Sequence, residues 1–192
     1  MSLDLAVKQS LKNQLPNLLK TEARNLVTKA FQKKKNQMIA EFQGHPVTRE
    51  IQGGINSDNI SGTLNGITNL YSFIGFEDGA DPTEVIEDML LSTNIRFLKI
   101  NRQELEYEVT LPEASEIFQK TPLPWAFGRS WVKGIESGLS GLGYYLNKRQ
   151  GSRSGLGIQV EKKVRKGVKF RNTTYISALL KKYKKEFENI KL

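Results

Sequence analysis

Residues 3–43 contain no glycine and one proline, and their apolar side chains recur three and four apart: Leu11, Leu15, Leu18, Leu19, Ala23, Leu26, Val27, Ala30, Phe31, Met38 and Phe42. That spacing predicts helix with one apolar stripe. Lys12, Lys20, Arg24, Lys33 and Lys34 fall mostly off the stripe. Pro16 lacks the N–H that a helix interior needs, and its ring crowds the preceding turn. The spacing therefore predicts a short first helix ending near Gln14 and a long one from Pro16 to Phe42, with the proline in its first turn. Some 27 residues of helix span roughly 40 Å. A rod of that length lies along a sheet or reaches past it. Gly44 and Pro46 stop it, so residues 1–43 read as a helical arm and 44–192 as one further domain.

Residues 52–79 are dominated by Gly, Asn and Ser. Such a stretch resists helix and bends easily, and a loop this long in a compact domain is functional or mobile. Within it, the run from Ile67 to Phe76 carries Leu70, Tyr71, Phe73 and Phe76. It reads as a strand or as an extended loop that binds a partner. Asp81-Pro82-Thr83-Glu84 reads as a helix start with Asp81 as N-cap. Two strands follow. Ile95, Phe97 and Leu98 to Ile100 form the first, and Leu105, Tyr107, Val109 and Leu111 alternate with Glu104, Glu106, Glu108 and Thr110 in the second. A short helix spans Pro112 to Gln119. Residues 125–148 fit either a helical pattern or, with four glycines in ten residues, broken structure. Leu156 to Val160 and Val164 to Phe170 alternate as a basic hairpin turning at Lys166-Gly167. Thr173 or Thr174 then caps a last helix with Ile176, Leu179, Leu180, Tyr183, Phe187 and Ile190 on its apolar face. Helices and strands in separate runs give an α+β fold.

Charge is strongly partitioned along the chain. Residues 1–43 hold eight basic and three acidic side chains, 44–147 seven and fourteen, and 148–192 fourteen and three. The net charges are +5, −7 and +11. An evenly basic nucleic-acid binder has no use for that middle, whereas a subunit that meets its own copies head to tail uses both signs. The longest apolar runs are a few residues, so no membrane span is expected. The first ten residues carry no apolar core of a secretion signal.

Several chemistries are excluded by residue type. With no cysteine and one histidine, thiol nucleophiles, disulfides and Cys- or His-rich zinc sites have no ligands to use. His45, between Gly44 and Pro46, reads as a side chain that packs against or caps that corner. The acidic run Glu77-Asp78-Gly79-Ala80-Asp81 lacks the alternating spacing and closing glutamate of a calcium loop, so its acids are read as helix caps. Glu104, Glu106 and Glu108 share a strand face and are read as solvent-facing. Neither Gly-rich stretch, 138–143 or 154–157, precedes a helix with a phosphate-binding lysine. No cofactor is expected. What remains is binding: Lys162, Lys163, Arg165, Lys166, Lys169 and Arg171 crowd the hairpin and suit phosphates or an acidic neighbour.

The stretch from Asn59 to Phe76, followed by Gly79-Ala80-Asp81-Pro82, resembles neck or tail-completion proteins of tailed bacteriophages. So does the block holding Pro124-Trp125, Gly128-Arg129-Ser130-Trp131, Gly134 to Gly138 and Gly141 to Leu146, and Arg153 to Gln159 leads on to the last helix. The resemblance covers about residues 42–185. It implies a long helix packed on a small antiparallel β-sheet with a C-terminal helix, and no enzyme activity. It also implies a ring of copies in the virion, assembled in the host cytoplasm, between the portal or adaptor and the tail terminator or tail tube, with weak non-specific contact to packaged DNA. On this reading Trp125 and Trp131 join the loop aromatics and the basic hairpin as interface residues. The alternative is a free-standing basic nucleic-acid-binding protein, which would use the hairpin and the last helix.

Overall fold

A computed structural model of the chain describes residues 5–64, 68–100, 105–124, 126–137, 145–146, 158–159 and 173–190. Helix α1 (Leu5–Gly44) is followed by α2 (Pro46–Gln52), a 3-10 turn (Gly54–Asn56), α3 (Leu70–Ile74) and α4 (Glu84–Leu91). Strands β1 (Asn94–Ile100) and β2 (Leu105–Thr110) come next, then α5 (Ala114–Lys120), β3 (Pro122–Leu123), β4 (Ala126–Ser130) and α6 (Trp131–Ser137). The short strands β5 (Tyr145–Leu146) and β6 (Ile158–Gln159) precede α7 (Ile176–Glu188). The fold is α+β, with a long N-terminal helix, small two-stranded antiparallel sheets and a C-terminal helix.

The N-terminal helix is unbroken, against the expected division at Pro16. The proline forgoes one backbone hydrogen bond, and the residues on both sides remain helical. Val27, Phe31, Met38 and Phe42 of α1 are buried and make it the spine of the domain. Glu41 accepts from Lys182 Nζ (2.6 Å) and Tyr183 Oη (2.9 Å) of α7, and Lys34 pairs with Glu186. On another side Lys35 Nζ donates to the carbonyls of Leu91 (2.5 Å) and Thr93 (2.8 Å), satisfying the C-terminal end of α4. Arg24 lies 4.9 Å over the Phe97 ring of β1.

The β1–β2 ladder pairs Asn94 with Thr110, Arg96 with Glu108 and Phe97 with Tyr107. The register slips between Phe97 and Lys99. This bulge leaves Leu98 without a cross-strand partner and exposed. The last helix keeps its expected apolar face but not its expected cap. Neither Thr173 nor Thr174 closes it. Instead Glu136 at the end of α6 accepts from Ser177 N (2.7 Å) and Ser177 Oγ (2.6 Å). A carboxylate from another helix thus does what a local hydroxyl was expected to do. Asp81 is likewise not the N-cap of α4. That position is Thr83, whose N and Oγ1 both donate to Asp81 Oδ1, at 2.8 and 2.6 Å.

The Gly/Asn-rich segment is tied down within the single chain. Glu50 on α2 is fully buried. Its Oε1 accepts from Asn59 Nδ2 (3.0 Å) and Leu70 N (2.7 Å), and its Oε2 from Ser61 N (2.6 Å). Asn69 caps α3 by accepting from Ser72 N (2.8 Å) while donating to the carbonyls of Ile55 (2.8 Å) and Ser57 (2.7 Å). The run expected as strand or extended loop is therefore helix α3, ended by Gly75 at φ 83°. The described residues of this segment are thus bonded to α2 and to each other within one chain.

Replacing Glu50 with Ala removes the acceptor of the buried Leu70 amide and of the half-buried Asn59 and Ser61 donors, and an unpaired buried donor costs about 1–3 kcal/mol. The expected loss in urea unfolding is about 2 kcal/mol or more, with fast hydrogen exchange at the Ser61 and Leu70 amides. A loss under about 1 kcal/mol would show that the segment is held by something else.

Candidate functional site

A catalytic centre needs a base beside a nucleophile, or a cluster of metal ligands. His45 is the one imidazole. Its Nδ1 accepts from Val47 N (3.2 Å) at the start of α2, its ring lies 4.8 Å from that of Tyr175, and it hydrogen-bonds the Thr174 backbone. It caps and packs the corner, as expected. Burial pushes its pKa below the ordinary value near 6.5, opposed by the Thr174 backbone and by Glu41. The ring is thus held in the corner by Val47 N and by Tyr175. Tyr175, buried and 2.8 Å from Thr48 Oγ1, has its hydroxyl pKa pushed up by burial. Among the described residues, no three His, Asp or Glu side chains are grouped to hold a metal ion. No described helix is long and apolar enough to cross a membrane. Glu108 pairs with Arg96 (2.6 Å) and Glu106 stands opposite Lys99 in the ladder. Cross-strand cations face both acids.

The expected interface residues separate into groups. Leu70, Tyr71, Phe76 and Trp131 are core side chains, each at most 5% exposed. Their rings form a connected series: Tyr71 to Phe76 at 5.4 Å, Phe76 to Trp131 edge-on at 5.6 Å, and Trp131 to Tyr175 at 6.4 Å. The series joins α3, α6 and the start of α7. These side chains pack the domain and present no surface to a partner. Phe73 is half-buried against the same core. Trp125, Lys162, Lys163, Arg165, Lys166, Lys169 and Arg171 lie outside the described residues.

Two surface features were not read from the sequence. The first is on α1. Leu18, Leu19 and Leu26 are 65%, 64% and 46% exposed. At about 100° per residue these leucines centre roughly 150° around the helix from Val27, Phe31, Met38 and Phe42. The single stripe expected from the spacing is two stripes, and only one of them enters the core. Three- and four-residue spacings drift around a helix over many turns, so a list of apolar positions conceals the split.

The second feature is a groove of about 880 Å³ between β2, the start of α5 and α7. Its walls are Leu105, Tyr107, Val109 and Leu111 on one side and Leu180 and Phe187 on the other. Tyr107 Oη donates to the Phe187 carbonyl (2.9 Å) and ties the walls together. Glu106, Glu113, Glu188, Lys181 and Lys184 stand around the apolar part. Apolar walls with a polar rim suit a protein surface.

The chain matches no known protein family, no curated protein and no solved structure.

The burial of His45 sets the sign of a pH dependence in the fold. Its folded pKa lies below its unfolded one, so as pH falls the unfolded chain takes up the proton first. The stability present above about pH 6.5 is lost as pH falls through the folded pKa. His45→Asn keeps a capping side chain without the titration. Urea midpoints of the parent chain should drop between about pH 7 and 5.5, and those of the variant should stay level. An equal drop in both would remove His45 from the account.

Proposed function

We propose that this chain is a structural subunit of the neck or tail-completion ring that joins head to tail in a tailed bacteriophage. The observation that carries the reading is the leucine stripe of α1, which stands open on the side away from the core. A surface of this kind marks a site of protein association. The partition of charge along the chain favours contact between unlike faces of identical copies. Such heterologous contacts close into rings when the rotation allows. The sequence resemblance in residues 42–185 is what suggests a place for that ring. Its neighbours are the portal or adaptor on one side and the tail terminator or tail tube on the other.

A second reading has its own observation. Lys181, Lys184 and Lys185 are exposed along α7, and with the basic residues between Lys162 and Arg171 in the sequence they suit a phosphate backbone. One experiment weighs the two. In a ring through which DNA passes, any contact is weak and driven by phosphate charge. Affinity for duplex DNA should fall at least about 10³-fold between 50 and 200 mM salt, as neutralising six or more phosphates requires. Unrelated duplexes of equal length should bind alike, and negative-stain images of the purified chain should show closed rings. Sequence-selective binding with Kd near 10⁻⁹ M, typical of specific DNA recognition, would overturn the neck reading in favour of a free-standing DNA-binding protein.

A further inference from the structure

We infer that the open leucine stripe of α1 in one copy seats in the β2–α5–α7 groove of the next. The inference rests on the ring reading in one respect, that copies of this chain meet each other. It adds which two surfaces do so.

Lengths agree. The nine residues from Leu18 to Leu26 span roughly 13 Å of helix, within the roughly 20 Å of a six-residue strand such as β2. Chemistry agrees as well. Leu18, Leu19 and Leu26 supply an apolar ridge, and the groove offers Tyr107, Val109, Leu180 and Phe187. Charges match along the same line. Glu22 stands between Leu18 and Leu26 in the helical spacing, and Lys29 and Lys33 continue it. All three are exposed. The rim of the groove presents Lys181 and Lys184 on α7 for Glu22, with Glu113 on the opposite side for the lysines. Neither Lys181 nor Lys184 has an ion-pair partner among the described residues.

A chain cannot make this contact with itself. The core face of α1 is already against α7 and β1, and the leucine stripe points away from that face. Because α1 is one continuous helix, its stripe cannot turn back into its own groove. The contact therefore joins two different surfaces of two copies. That is the head-to-tail kind that leaves one stripe and one groove free at the ends until a ring closes.

The absence of cysteine makes a clean cross-linking test. Leu18→Cys and Ser115→Cys are prepared as separate proteins, Leu18 being exposed and Ser115 exposed at the groove. A disulfide requires Cα atoms within about 7 Å. Under mild oxidation the mixture should give the mixed dimer in high yield, and neither protein alone should cross-link. Glu22→Lys should weaken self-association at least about tenfold, and Lys181→Glu with Lys184→Glu should restore it. Efficient cross-linking of Leu18→Cys with itself would mean that like stripes pair, and would overturn the inference. So would a mixture without cross-links under conditions where light scattering shows the parent chain assembled. Rings seen by negative stain in that last case would leave the neck reading standing while this contact fails.

Discussion

Three donors from a segment of little intrinsic order converge on one buried carboxylate, that of Glu50. Glycine- and asparagine-rich chain loses much conformational entropy when fixed, and its own side chains offer little burial in return. Glu50 supplies acceptors for Asn59, Ser61 and Leu70 from the interior of α2. Asn69 gathers the Ile55 and Ser57 carbonyls from the other side. With the backbone held, Leu64, Leu70, Tyr71, Ile74 and Phe76 enter the core. Phe76 then meets Trp131, and Trp131 meets Tyr175. The aromatic series that joins the two ends of the domain therefore depends on the clamp.

Local periodicity was enough to read most of the elements. The alternation from Leu105 to Thr110 is β2, and the apolar positions from Ile176 to Phe187 are the buried face of α7. His45 stands between Gly44 and Pro46 and caps the corner that those residues create. Where the reading failed, the deciding partner was distant in sequence. Leu70 to Ile74 looks like strand from its residues alone. It is helical because Asn69 caps it and Gly75 ends it, with Glu50 receiving the Leu70 amide from 20 residues away. The cap of α7 comes from Glu136, 41 residues before Ser177. An aromatic run beside glycines suggested a binding loop, yet Tyr71, Phe76 and Trp131 pack on one another. Aromatic residues serve cores and interfaces alike, and composition cannot separate the two uses.

The candidate site was legible only as a charge pattern. An acidic middle between basic ends argues for contact between copies, but it does not say which surfaces meet. The groove arises from β2, α5 and α7, whose lining residues run from Leu105 to Glu188. No local motif records it. The leucine stripe was visible as residues but merged with the core stripe, because both satisfy helical spacing. Separating them needed the burial of Val27, Phe31, Met38 and Phe42 against the exposure of Leu18, Leu19 and Leu26. Helix α1 thus has two uses. One face organises the domain, and the other is free for assembly.

That division of α1 is the centre of the account, and it can be measured on one variant. Replacing Leu18 and Leu19 together with Glu removes apolar surface only from the open stripe. The thermal unfolding midpoint at a concentration where the parent chain is monomeric should stay within about 2 °C of the parent, as expected for exposed positions. At higher concentration the mass by light scattering should fall from the assembled value to that of one chain. A variant that unfolds well below the parent, or that assembles as the parent does, would contradict the claim that the core and the assembly surface use different faces of the helix.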